Sequence, residues 1–118
     1  MTDLSSEAKE KIDKLKKAYV GSFPEKTREL ETLWQALQSN EYSEDNLIKL
    51  AASCHKLAGS SGSYEFSEIS RAAHSVEMYC QNDFTSMDQK KAHIIELKHL
   101  YMRLVKLLGN TENLLGGA

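Results

Sequence analysis

Apolar residues return every three or four positions over most of this chain, and no stretch alternates apolar with polar long enough to line one face of a strand. The spacing predicts helices throughout. A first helix begins at Ser5 or Ser6, carries Ala8, Ile12, Leu15 and Tyr19 on one face, and ends near Gly21, a residue suited to a left-handed C-terminal cap. Pro24, the only proline, fits the first turn of a second helix, where its missing N–H is not needed; that helix runs through Leu30, Leu33, Trp34 and Leu37 to about Ser39. Ser43 is the expected N-cap of a third helix, with Glu44 and Asp45 placing negative charge on its free N–H groups. Its stripe is Leu47, Leu50, Ala51, Cys54, Leu57 and Ala58. Ser67 and Glu68 open a fourth helix carrying Ile69, Ala72, Ala73, Val76 and Cys80. After a connector at Asn82, Asp83, Phe84 and Thr85, Ser86 is the expected cap of the longest helix, in which Ile94, Ile95, Leu97, Tyr101, Leu104, Val105 and Leu108 supply core until Gly109 and Asn110 end it.

Helices of comparable length joined by short connections bury such stripes by lying side by side. The fold class expected is therefore all-α, an antiparallel four-helix bundle with an additional N-terminal helix capping one end. The expected organisation is a single domain over 1–118, with the N-terminal helix at 5–20, the bundle at 24–112 and a loose tail at 113–118. Periodicity alone does not distinguish one bundle from another.

Composition narrows the function classes. At 118 residues the chain can bury one proper core, and 41% hydrophobic with 27% charged residues is ordinary for a globular domain. A net charge of −2 gives no electrostatic case for nucleic acid. No apolar run approaches the roughly 20 residues needed to span a bilayer, and the first residues lack a basic region followed by an apolar one, so a cytoplasmic protein with no membrane association is expected. Cys54 and Cys80 are too few for a disulfide framework and fall in apolar stripes, which reads as buried, reduced thiols. Lys9, Lys11, Lys14, Lys16 and Lys17 are interspersed with Glu7, Glu10 and Asp13, the pattern of a solvated helix face rather than a docking patch. A self-contained bundle needs no second copy to close its core, and a monomer is expected.

The stretch that carries chemistry is Cys54-His55-Lys56-Leu57-Ala58-Gly59-Ser60-Ser61-Gly62-Ser63-Tyr64-Glu65-Phe66. With about 3.6 residues per turn, His55 lies roughly 100° from Cys54, on the flank of the buried stripe with its ring near water. Around it the side chains are small: Ala52 and Gly59 one turn away on either side, then Ser60 and Gly62. Such a surface lets another molecule approach the imidazole closely. A glycine inside a helix costs about 1 kcal/mol relative to alanine, so Gly59 suggests a requirement other than stability. The other histidines offer less. His93 and His99 are six apart on different sides of a helix, and none pairs with His55 or Cys80 at a metal-ligand spacing. No metal site is expected, a bundle metalloenzyme would need paired Glu-x-x-His motifs that the chain lacks, and there is no Gly-rich loop of Walker or kinase type.

From His55 onward the sequence resembles the active helix of histidine-containing phosphotransfer (HPt) domains of two-component phosphorelays, approximately H-x-L-x-G-S-(A/S)-x-x-(aromatic)-G-(aliphatic or aromatic). His55, Leu57, Gly59, Ser60, Ser61, Tyr64 and Phe66 match position by position. The chain departs at Ala58, where many members place a lysine, leaving Lys56 as the local ammonium. It departs again at Glu65, where the family has glycine; if the turn there needs φ > 0, the glutamate is strained.

The resemblance implies a phosphoryl carrier rather than an autonomous kinase or other enzyme. His55 would be the phospho-acceptor, and Lys56, Gly59, Ala52 and Gly62 would surround the phosphate or the docked partner. Glu77 falls where the next helix commonly presents a polar residue to the histidine; Arg71, His74 and Gln81 share or border its face. The implied partners are response-regulator receiver domains and a hybrid sensor kinase. No cofactor would be bound by this chain, Mg²⁺ being expected on the partner receiver. The chemistry suits imidazole, whose ordinary pKa near 6.5 leaves it largely neutral and nucleophilic in the cytosol. The alternative is an HPt-like bundle that is not phosphorylated and sequesters a receiver or kinase.

Overall fold

In the computed structural model, which describes residues 5–81 and 87–110, the chain is all-helical, and no strand occurs among those residues. Five helices follow in order: α1 (Ser6–Gly21), α2 (Phe23–Ser39), α3 (Glu44–Ser63), α4 (Ser67–Cys80) and α5 (Met87–Gly109). Consecutive helices pack on one another from α2 to α5, and α2 also meets α5, which closes the four into a ring; α3 and α4 share the largest interface. The expected tail at 113–118 and the Ser86 cap lie outside the described residues.

Local chemistry explains the boundaries. Ser5 Oγ accepts from the Ala8 N–H at 3.1 Å, and Ser43 caps α3 by accepting from the Asn46 N–H at 3.5 Å. Serine can stop α1 where a left-handed glycine was expected: Ser22 stays right-handed at φ −84° and donates its N–H and Oγ to the Tyr19 carbonyl, so Gly21 remains helical and α2 restarts at once with Pro24 in its first turn. The cap of α4 also differs from expectation. Phe66, not Ser67, occupies it, without a side-chain cap bond, because the turn draws the Phe66 ring into the core, where it is buried, and leaves Ser67 as the first helical residue.

Phe23, Leu30, Leu37, Leu50, Cys54, Ile69, Val76, Leu97, Leu104 and Leu108 are fully buried, each larger side chain contributing about 1.5–3 kcal/mol of transfer free energy. Trp34 stacks on Tyr101 with centroids 4.3 Å apart, tying α2 to α5. Three residues assigned to the core from periodicity are instead in water: Ile12, Leu15 and, on α5, Ile95. From Ser6 to Leu15 every side chain of α1 except Ala8 is exposed, whereas its last turn is anchored. Tyr19 stacks on Tyr64 and Phe66 and shares a 2.5 Å hydrogen bond with Ser60, and Lys16 pairs with Glu65 at 3.4 Å.

The α3–α4 turn is built on Glu65 at φ 66°, with the Glu65 N–H donating to the Gly62 carbonyl and the Phe66 N–H to that of Ser61. The left-handed conformation that would suit glycine is thus present with a glutamate in it. The α2–α3 turn uses two more such residues, Glu41 at φ 54° and Tyr42 at φ 57°.

Candidate functional site

His55 stands midway along α3, on the side facing α4, with its side chain 75% exposed. Its Nδ1 lies 2.8 Å from Glu77 Oε2 on α4, across the best-packed helix pair of the molecule. A carboxylate can only accept, so the proton of a neutral ring is fixed on Nδ1. The lone pair of Nε2, the outer ring nitrogen, is then left pointing away from the partner carboxylate. Glu77 is itself well held, its side chain only 12% exposed, and its other oxygen lies 3.6 Å from His74 Nδ1, an ion-pair distance rather than a hydrogen bond. A hydrogen bond donated to a well-held acceptor both selects the tautomer and orients the ring, which is what a nucleophilic imidazole requires.

The two thiols beneath this pair are inert by contrast. Burial, and next the charge of Glu77, pushes the Cys80 thiol up to about 12. Burial also raises Cys54, with Cys80 and Glu77 adding to the effect. Thiolate is the reactive form, so neither cysteine competes with the imidazole as a nucleophile near neutrality.

Beside His55 runs an open groove of about 870 Å³ between α3 and the end of α4. Ala52 and Lys56 line it together with His55, Glu77 and Gln81, and it continues along α3 to Ala51, Ile48 and Tyr42, with Lys90 of α5 on its far side. Gly59 is exposed, and a methyl group built on it would meet nothing within 4 Å among the described residues, so no contact there demands a glycine. Gly62 has a different reason: its added methyl would lie 3.3 Å from Ser70 Oγ, so the residue lets α3 and α4 approach. Ala58 is half-buried at the α3–α4 contact, its carbonyl accepting from Ser70 Oγ at 2.8 Å. Arg71 lies elsewhere, in a separate cleft with Glu68, Ser75 and Arg103. Sequence reasoning missed Ile48, Tyr42 and Lys90. Only Ile48 had a readable signal, since it stands seven residues before His55 and therefore on the same helical face.

Among the described residues no group of three or more His, Cys, Asp or Glu side chains could hold a metal ion, and no helix is long and apolar enough to cross a membrane. A family model described as the Hpt domain matches residues 2–108. No curated protein and no solved structure matches the chain.

Proposed function

The chain belongs to the Hpt domain family, and from that premise we propose that His55 accepts a phosphoryl group from the aspartyl phosphate of a receiver domain and passes it to the aspartate of another. In the forward direction a bond forms between Nε2 and phosphorus, the acyl-phosphate P–O bond breaks, and its electron pair returns to the aspartate carboxylate. The Nδ1 proton stays between the ring and Glu77, which stabilises the imidazolium-like charge that develops as Nε2 is phosphorylated. Most of the remaining catalysis in phosphoryl transfer is positioning and charge neutralisation, and the metal that supplies the latter, Mg²⁺, belongs to the receiver in this scheme. The observation that carries the reading is the 2.8 Å contact between His55 Nδ1 and Glu77, which leaves an oriented and accessible Nε2.

In this scheme the chain is a phosphoryl carrier, a cytoplasmic monomer with α2–α5 antiparallel as one bundle over 24–112, the helix of 5–20 appended to it, and no further domain within 1–118. Its partners are response-regulator receivers and a hybrid sensor kinase. Lys56 screens the phosphate, while Ala52, Gly59 and Gly62 keep the approach low.

A second reading has one observation in its favour. Glu77 places a negative charge against His55, and Ala58 stands where a lysine could have offset it. A bundle that binds receivers without carrying phosphate fits that feature. Phosphate acceptance separates the two readings. Mixed with phosphorylated receiver domains and Mg²⁺, wild-type protein should gain acid-labile, base-stable phosphate, and His55→Gln should gain none while still binding. Binding without label on wild type, across a broad panel, favours sequestration.

A further inference from the structure

We infer that the outward face of α5 is a second docking surface, separate from His55, and that its occupant is an acidic amphipathic helix of a partner protein. Apolar side chains of that helix cover Ile95 and Met102, and its carboxylates meet Lys91, Lys98, Arg103 and Lys106. The inference goes beyond the phosphotransfer reading and does not depend on it.

Helix periodicity defines the face. Leu97, Leu104 and Leu108 turn α5 toward the core, and Ile95 and Met102 fall on the opposite side. Those two are seven residues apart, about 10.5 Å along the axis and only some 20° around it, and they are 59% and 56% exposed. Single exposed apolar residues are commonplace, but this pair is bordered by charge of one sign. Between Lys91 and Lys106, about 22 Å of helix, the exposed cations Lys91, Lys98, Arg103 and Lys106 stand against one acid, Glu96, whose carboxylate lies 3.9 Å from His99 Nδ1. None of the four is within ion-pair distance of a carboxylate among the described residues. The helix dipole accounts for Lys106, in the last turn, but not for Lys91 or Lys98. A face that needs only solvation mixes signs, as α1 does with its five lysines among Glu7, Glu10 and Asp13. The positive charge is local, since the chain as a whole carries −2.

The same charge continues onto α4. Arg103 shares a cleft of about 240 Å³ with Arg71, where two guanidiniums stand against the single carboxylate of Glu68, and a guanidinium can grip an incoming carboxylate with two parallel bonds. Four turns of a partner helix match the length of the face. Other occupants fit less well. A second copy laid antiparallel over Ile95 and Met102 sets Lys91 against Lys106 and Lys98 against His99, which repels. A membrane surface needs a continuous apolar face, and two large side chains do not make one. Because α5 lies across the ring from α3, a partner held here leaves His55 open.

The test is nuclear magnetic resonance of the ¹⁵N-labelled full chain, titrated with a synthetic helical peptide of about 18 residues that carries a leucine stripe flanked by glutamates. Two control peptides replace its glutamates by lysines, or scatter its leucines around the helix. Only the first peptide should bind, moving the backbone signals of Ile95, Lys98, Met102 and Arg103. The Ile95→Ser, Met102→Ser double variant should weaken binding by about 10-fold or more, the equivalent of losing buried apolar side chains. The Lys91→Glu, Lys98→Glu variant should weaken it similarly and lessen its sensitivity to salt. Lys14→Glu on α1 should change nothing. All these positions are exposed, and the variants should melt within a few degrees of wild type. Absence of binding, equal binding of either control peptide, or shifts centred on α1 or around His55 overturns the inference. Signals of α5 that move with protein concentration alone would assign the face to a second copy. Displacement of the peptide by vesicles of phosphatidylserine and phosphatidylcholine would assign it to lipid. Either result also overturns the partner helix.

Discussion

Glu65 is held at φ 66° in the α3–α4 turn, and replacing it isolates the cost of that conformation. An L-residue in the left-handed region is disfavoured by about 1–2 kcal/mol, because Cβ crowds the following carbonyl. Glycine removes the crowding but loses part of the gain, roughly 0.5–1 kcal/mol, through the greater freedom of its unfolded chain. Either substitution also removes the Lys16 contact at 3.4 Å, a minor loss because the Glu65 side chain is 81% exposed and such pairs contribute little in water. Comparing Glu65→Gly with Glu65→Ala cancels that loss, since alanine lacks the carboxylate and keeps the crowding. Glu65→Gly should be the more stable of the two by about 0.5–1 kcal/mol, which for a chain of 118 residues is a difference in Tm of about 2–4 °C. Urea denaturation with a common m-value, supported by thermal melts, measures it. If Glu65→Ala equals or exceeds Glu65→Gly, the turn does not impose the left-handed backbone, and the strain assigned to it is absent.

Glu77→Gln keeps an oxygen that can accept from His55 Nδ1, so phosphate acceptance should survive, whereas Glu77→Ala should slow acceptance by about 10- to 100-fold, the worth of a hydrogen bond to a charged group; rates measured at saturating receiver decide this. Gly59→Ala adds a methyl group that meets nothing among the described residues, so helix propensity should raise stability by up to about 1 kcal/mol, while Gly59→Gln should retain the melting temperature within a few degrees and slow transfer by obstructing approach; unchanged transfer would remove the close-approach role of Gly59. In alkali the buried thiols should cost stability: Cys80 rises from 9.0 to about 12 on folding, so the folded chain keeps a proton that the unfolded chain releases, and stability that is complete below pH 9 declines as pH climbs toward 12. Urea midpoints at pH 8, 9.5 and 11 should fall more steeply for wild type than for the Cys54→Ala, Cys80→Ala double variant.

The sequence was most readable where one local force decides the outcome. The periodicity of Leu47, Leu50, Ala51, Cys54 and Leu57 placed α3 and its buried face, Ser43 fixed its start, and His55 fell on the exposed flank as the 100° rotation requires. The Glu77 contact was legible only through the family resemblance, because the register of α3 against α4 depends on the length and conformation of the intervening turn. What could not be read depended on neighbours. Ile12 and Leu15 have the same spacing as buried residues, yet both are exposed, and an amphipathic pattern does not record whether anything covers it. Gly59 and Gly62 look equivalent in sequence; one is open and the other lies against Ser70 of α4, a difference set by which of them meets the neighbouring helix. Lys90 reaches the groove from a helix more than 30 residues away in the chain, and no spacing rule could have brought it there.

The most direct measurement is nuclear magnetic resonance of protein carrying ¹⁵N in its histidine rings, observed before and after phosphorylation by a receiver. A phosphoryl group on Nε2 of His55, with Nδ1 still protonated, is the predicted result, seen as nitrogen–phosphorus coupling at that atom alone and lost in His55→Gln. Coupling at Nδ1, or at His74, His93 or His99, would contradict the assignment of Nε2 of His55 as the acceptor.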